Sequence, residues 1–94
     1  MSELQITSVQ FTAASPADAD TGLLGHVAFT LDEGLRLDGI AVRRTRDGRH
    51  TLSFPARQDR AGRRHFFVRP LTDAARQAIE EPVLRALGFA PSGP

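Results

Sequence analysis

The chain of 94 residues has no cysteine, which excludes a disulfide framework, a thiolate metal site and thiol chemistry. It has no long apolar run either: nothing approaches the roughly 20 residues that a membrane-spanning helix needs. Met1-Ser2-Glu3 lacks the basic start and apolar stretch of a signal peptide, so the cytoplasm is the expected setting. Internal repeats are absent. Lysine is absent too, and arginine supplies all 12 basic side chains. A planar guanidinium binds phosphate bidentately and stacks on bases, whereas lysine acts as a point charge. GC-rich codon usage produces the same all-arginine pattern, so the missing lysine does not by itself argue for a nucleic-acid partner.

What is present is polarised charge. Between Arg36 and Arg69 there are ten arginines against three acids (Asp38, Asp47, Asp59), a local balance of +7. The remainder carries two arginines against eight acids, or −6, so the overall +1 hides the asymmetry. A basic face on a small domain is the electrostatic footprint of a protein that holds phosphates or another acidic surface. Solvated hairpin turns produce the same count. With 40% apolar residues the chain has a thin core for one domain, and domains of this size often gain stability by pairing with a copy.

The apolar pattern predicts strands first. Leu4 to Ala13 mixes apolar and β-branched residues, with a slip of alternation between Ile6 and Val9 that suits a bulge. Ser15 to Gly22 reads as a mobile loop. Leu23, Gly25, Val27, Phe29 and Leu31 share one face of a strand. Asp32-Glu33-Gly34 predicts a tight hairpin with the positive φ at Gly34. Leu35 to Arg43 returns, its parity changing at Gly39 as at a bulge. Arg46-Asp47-Gly48-Arg49 predicts a second hairpin, and a short strand around Leu52 and Phe54 ends at Pro55. Ala56 to Arg64 reads as an arginine-rich loop and His65 to Arg69 as a last strand.

The period then changes to that of a helix. Thr72 is a good N-cap, Asp73 suits the positive end of the dipole, and Ala75, Ile79, Val83 and Leu87 recur every four residues. Pro82 either kinks this helix or opens a second short one. Gly88 is the natural C-terminal cap. The expected domain is residues 1–88, with 89–94 as a disordered tail. The fold class is α+β: an antiparallel meander of four to five strands followed by a C-terminal helix.

Thr30-Leu31-Asp32, then Ile40 and Val42, then Gly48, Phe54-Pro55 and Gly62 follow in order. Pro70-Leu71-Thr72 and a helix containing Arg76, Ile79, Val83 and Leu84 complete the series. In this order and spacing, from about Ile6 to Leu87, the chain resembles the stage V sporulation protein G (septation protein SpoVG) family. Departures mark a divergent member. Gly39 stands for the usual Asp, Phe54 for Met and Arg69 for His, while the Gly48 turn is one residue longer and Pro82 is unusual. The Ser15–Gly22 loop is also longer than the family's. The resemblance implies a homodimer whose sheets associate, with the helix packed against them. It also implies a bacterial nucleic-acid-binding regulator, acting on DNA and in some cases RNA, with effects on septation, sporulation or virulence genes. No catalytic activity, cofactor or small-molecule substrate comes with it.

Candidate site residues follow. Arg43, Arg44, Arg46 and Arg49 surround one turn, and Arg57, Arg60, Arg63 and Arg64 the next loop, with Arg69 beyond. Neighbouring strands bring both clusters to one end of a sheet if they form one phosphate-tracking surface, which positions a nucleic acid without reading its sequence. Phe66 and Phe67 take opposite faces of a strand, one of them in the core. Simple alternation puts Phe66 inside; the family match puts Phe67 inside and leaves Phe66 as a surface aromatic for base stacking or a dimer contact. His26, His50 and His65 lack HxxxH spacing and a nearby acid in sequence, so no metal site is expected. Ser53 lacks a nucleophile-elbow context, Asp32-Glu33 is turn chemistry, and Glu80-Glu81 reads as a solvated pair. The competing readings are a dimeric module whose basic face docks an acidic protein without nucleic acid, and a structural remnant that has lost its binding.

Overall fold

The computed structural model of the protein describes residues 4–89. Four antiparallel strands form a meander: β1 (Ile6–Ala13), β2 (Leu23–Leu31), β3 (Leu35–Arg44) and β4 (His50–Ser53), in the spatial order β1-β2-β3-β4. A helix, α2 (Asp73–Ala86), covers the sheet at the C-terminal end, giving the α+β architecture that the periodicities predict. Val27 and Phe29 of β2, Ile40 and Val42 of β3, and Leu52 of β4 meet Ile79, Val83 and Leu84 of α2 in one core.

Two bulges decide which side chains reach that core. In β1, Thr7 pairs with Thr30 but Gln10 pairs with Ala28, so an extra residue lies between Ile6 and Val9 as the sequence predicts. Ser8 takes φ 53 there. Its carbonyl accepts from Arg36 Nη1 at 2.7 Å, while Arg36 Nη2 donates to Gln10 Oε1 at 2.9 Å. Arg36, the first arginine of the basic run, therefore fastens the bulge. In β3, Leu37 pairs with Phe29 and Ile40 with Val27, leaving Asp38 and Gly39 opposite Ala28. Gly39 adopts φ 69, which L side chains rarely take, and the extra residue returns both Leu37 and Ile40 to the core side.

Several expectations are corrected. In the first hairpin the left-handed residues are Asp32 (φ 52) and Glu33 (φ 60), not Gly34. The Asp32 carboxylate accepts from the Gln5 N–H at 2.8 Å and ties the turn to the start of the chain, which offsets the strained backbone. The Ser15–Gly22 segment is not all loop: α1 (Pro16–Asp20) forms one turn of helix, with Ser15 capping it and Pro16 at its first position. The arginine-rich loop is a hairpin. β5 (Ala56–Gln58) pairs with β6 (Arg64–Phe66), making a second, two-stranded sheet and six strands among the described residues.

β6 stops at Phe66, where the Phe67 N–H turns to the Pro55 carbonyl at 3.0 Å. The pairing keeps its register to that point, but no residue of β5 or β6 is buried, so neither phenylalanine enters the core: Phe66 is 44% and Phe67 68% exposed.

Thr72 caps α2, its hydroxyl accepting from the Ala75 N–H at 3.1 Å. The helix is continuous through Pro82, so no second helix starts there. It ends in a Schellman arrangement around Gly88 (φ 81): Phe89 N–H to the Leu84 carbonyl and Gly88 N–H to the Arg85 carbonyl. Phe89 is not frayed, because its ring stacks on His50 at 4.8 Å and meets Phe11 edge-on at 6.1 Å. The rest of the predicted tail, 90–94, lies outside the described residues. No helix among them is long and apolar enough to cross a membrane.

Glu80 is the largest departure. It is buried, at 5% exposure, rather than solvated. The outer edge of β4 leaves the Leu52 N–H and C=O without a strand partner, and α2 supplies one. Glu80 Oε2 accepts from the Leu52 N–H and the Thr51 hydroxyl, both at 2.9 Å. Arg76 Nη2 donates to the Leu52 carbonyl at 2.9 Å, and its Nε lies 3.3 Å from Glu80 Oε2. This pair at i,i+4 caps the sheet edge as a neighbouring strand would.

Candidate nucleic-acid interface

The two hairpin turns organise themselves around aspartates, and that sorts the arginines. In the β3–β4 turn, Asp47 accepts from the Thr45 hydroxyl and pairs with Arg49 Nε at 3.0 Å. The Thr45 hydrogen bond, aided by Arg49, holds the Asp47 carboxyl below its usual range. In the β5–β6 turn, Asp59 collects the Ala61 and Arg63 N–H groups at 2.9 Å each and Arg63 Nε at 3.0 Å. His65 Nε2 lies 2.8 Å from Asp59 Oδ2, an acidic partner that sequence proximity does not reveal. The His65 contact is the main cause, and the Arg63 N–H the next, of an Asp59 pKa lowered from its ordinary value. Two of the ten arginines, Arg49 and Arg63, thus already carry carboxylate partners.

The remaining candidates divide by location. Arg44 and Arg46 line a concavity beside Asp20, Thr21 and Gly22. Arg49 lines another with Asp73 and Glu80. Arg57 sits on β5 opposite His65, and Arg60 lies in the turn beyond it. Arg43 of β3, Arg64 of β6 and Arg69 converge on a third concavity, of about 390 Å³, together with Phe66. A fourth guanidinium, that of Arg76, lines the same wall, although the charge run between Arg36 and Arg69 leaves it out. The signal that could have found it is the i,i+4 spacing of Arg76 and Glu80.

This concavity has a consistent sign. Its lining contains four arginines and no carboxylate. Arg76 is pinned to Leu52 and Glu80, but no ion pair among the described residues involves Arg43, Arg64 or Arg69. Phe66 lies within reach of two of them, with the Arg64 guanidinium 5.5 Å and the Arg69 guanidinium 5.9 Å from its ring centroid. At those distances each cation is drawn to the ring face. Unpaired guanidinia around an aromatic surface can bind phosphate oxygens by charge and hydrogen bonds, and a planar ring by stacking.

Phe67 belongs elsewhere. With Leu35, Leu37, Pro55 and Val68 it lines a mainly apolar concavity, also bordered by Arg36 and Asp38, that shares no lining residue with the arginine site. The adjacent phenylalanines therefore serve different surfaces. Among the described residues no cluster of three His, Asp or Glu side chains is placed to hold a metal ion. In comparisons with known proteins, no family model and no curated sequence matches this chain.

Proposed function

We propose that this domain is a bacterial regulatory protein that binds nucleic acid, DNA and RNA, through the concavity of Arg43, Arg64 and Arg69. The observation that carries the reading is the convergence of three arginines without carboxylate partners on one acid-free surface beside an aromatic ring. Phosphate contacts of this kind supply sequence-independent affinity. The resemblance to the septation and sporulation regulators supports the same partner. The reading contains no catalytic step and no cofactor, and its setting is the cytoplasm.

The proposal includes a homodimer. Leu35 and Phe67, 54% and 68% exposed, border the apolar concavity, and burying them against a second copy leaves the arginine site open.

Mobility shifts at low salt, with molecular mass measured alongside, test the reading. Reversing Arg43, Arg64 and Arg69 together to Glu is expected to abolish the shift for every sequence. Reversing Arg44 and Arg46, which lie beside Asp20, is expected to weaken it far less. A parent protein that shifts neither DNA nor RNA would refute the proposal.

A further inference from the structure

The geometry points to a narrower ligand for the arginine site: a single strand with an unpaired base stacked on Phe66. This rests on the nucleic-acid reading above and names the substrate class for it.

Phe66 is the last residue of β6, so its backbone is held by pairing with Ala56 while its side chain stays 44% exposed. A ring fixed at its base and partly exposed is a stacking platform, and base–aromatic stacking tolerates any sequence because every base has a π-face. The guanidinia of Arg64 and Arg69 already lie over the ring. An arriving base takes their place, and the displaced guanidinia turn to the phosphates on either side of that base. Arg43 lines the same concavity and takes the next phosphate.

Arg76 stays in place, because Leu52 and Glu80 hold it, and serves as a fixed wall. The Ser53 hydroxyl, also in the lining, has no hydrogen-bond partner among the described residues and is free to meet a base edge.

A duplex offers phosphates to this site but keeps its base faces inside the stack. The ring at the concavity then contributes nothing to duplex binding. The site therefore favours single strands by the stacking contribution, and Phe66 carries that preference.

The test uses a property of the sequence: the chain has no tryptophan and no tyrosine. In Phe66→Trp the only indole reports directly on the site. Titrating it with a short oligothymidylate is expected to quench its emission, while a duplex binds with little quenching. Phe66→Ala is expected to weaken oligothymidylate binding by roughly 5- to 100-fold and leave duplex binding unchanged. Phe67→Ala, on the apolar surface, is expected to keep the parent's ratio of single-strand to duplex affinity. Far-UV circular dichroism checks that each variant folds. If the parent binds both probes and Phe66→Ala binds the single strand as tightly as the parent, the stacking inference fails while the nucleic-acid reading stands. If the parent binds neither probe at low salt, both fail.

Discussion

Removing the Glu80 carboxylate tests how the helix is fastened to the sheet. In Glu80→Ala the Leu52 N–H, on a fully buried residue, loses its acceptor. An unsatisfied buried donor costs about 1–3 kcal/mol. The Thr51 hydroxyl loses a partner too, but it is only partly buried and turns to water for about 0.5 kcal/mol. Arg76, with 41% of its side chain exposed, loses its counter-charge for under about 1 kcal/mol. Together the change should cost about 3 kcal/mol. At about 4–8 °C per kcal/mol for a domain of this size, the melting temperature falls by about 15 °C. Glu80→Gln keeps an acceptor oxygen for Leu52 and should cost about 1 kcal/mol. Urea unfolding followed by far-UV circular dichroism measures both. If Glu80→Ala lies within about 1 kcal/mol of the parent, the side chain does not cap the β4 edge and the account is wrong.

Two further perturbations probe the frame around the site. A methyl group at Gly25 would lie 2.4 Å from the Thr12 carbonyl oxygen and 2.6 Å from the Phe11 ring, so Gly25→Ala must push β1 away from β2. It is expected to destabilise the domain by about 2 kcal/mol or more in the same unfolding assay, and a neutral result would contradict the packing. Asp59 has a lowered folded-state pKa, so the stability it contributes is present above its ordinary value of 3.8 and is lost as pH falls through the folded value. The parent should therefore lose stability below about pH 4 more steeply than Asp59→Asn, as read from denaturation midpoints across that range. Parallel curves would show that the β5–β6 turn does not depend on this carboxylate.

The legible part of the fold is the part written in apolar periodicity. Leu23 to Leu31 alternates, Ala75 to Leu87 repeats every four residues, and Gly39 marks a change of parity; each appears in the structure where the pattern puts it. The β5–β6 hairpin carries no such signal, because its six residues are exposed or half-buried and its geometry comes from Asp59 gathering turn donors. Phe66 and Phe67 do serve different surfaces, but neither is core, because no residue of the β5–β6 hairpin is buried. Glu80 reads as solvated since a carboxylate normally prefers water, yet an uncovered strand edge offers it two donors. Within the basic run, charge counting cannot separate Arg36, Arg49 and Arg63, which fasten a bulge and two turns, from Arg43, Arg64 and Arg69. That separation needs the aspartates placed in space.

The most direct test of the central claim is the salt dependence of single-strand binding. Three guanidinia meeting three phosphates predict a slope of log K against log salt of about −2, from about −0.7 per phosphate on a single strand. The variant with Arg43, Arg64 and Arg69 all changed to Ala should bring the slope close to zero. A parent whose affinity is independent of salt, or a triple variant that keeps the parent's slope, would contradict the account.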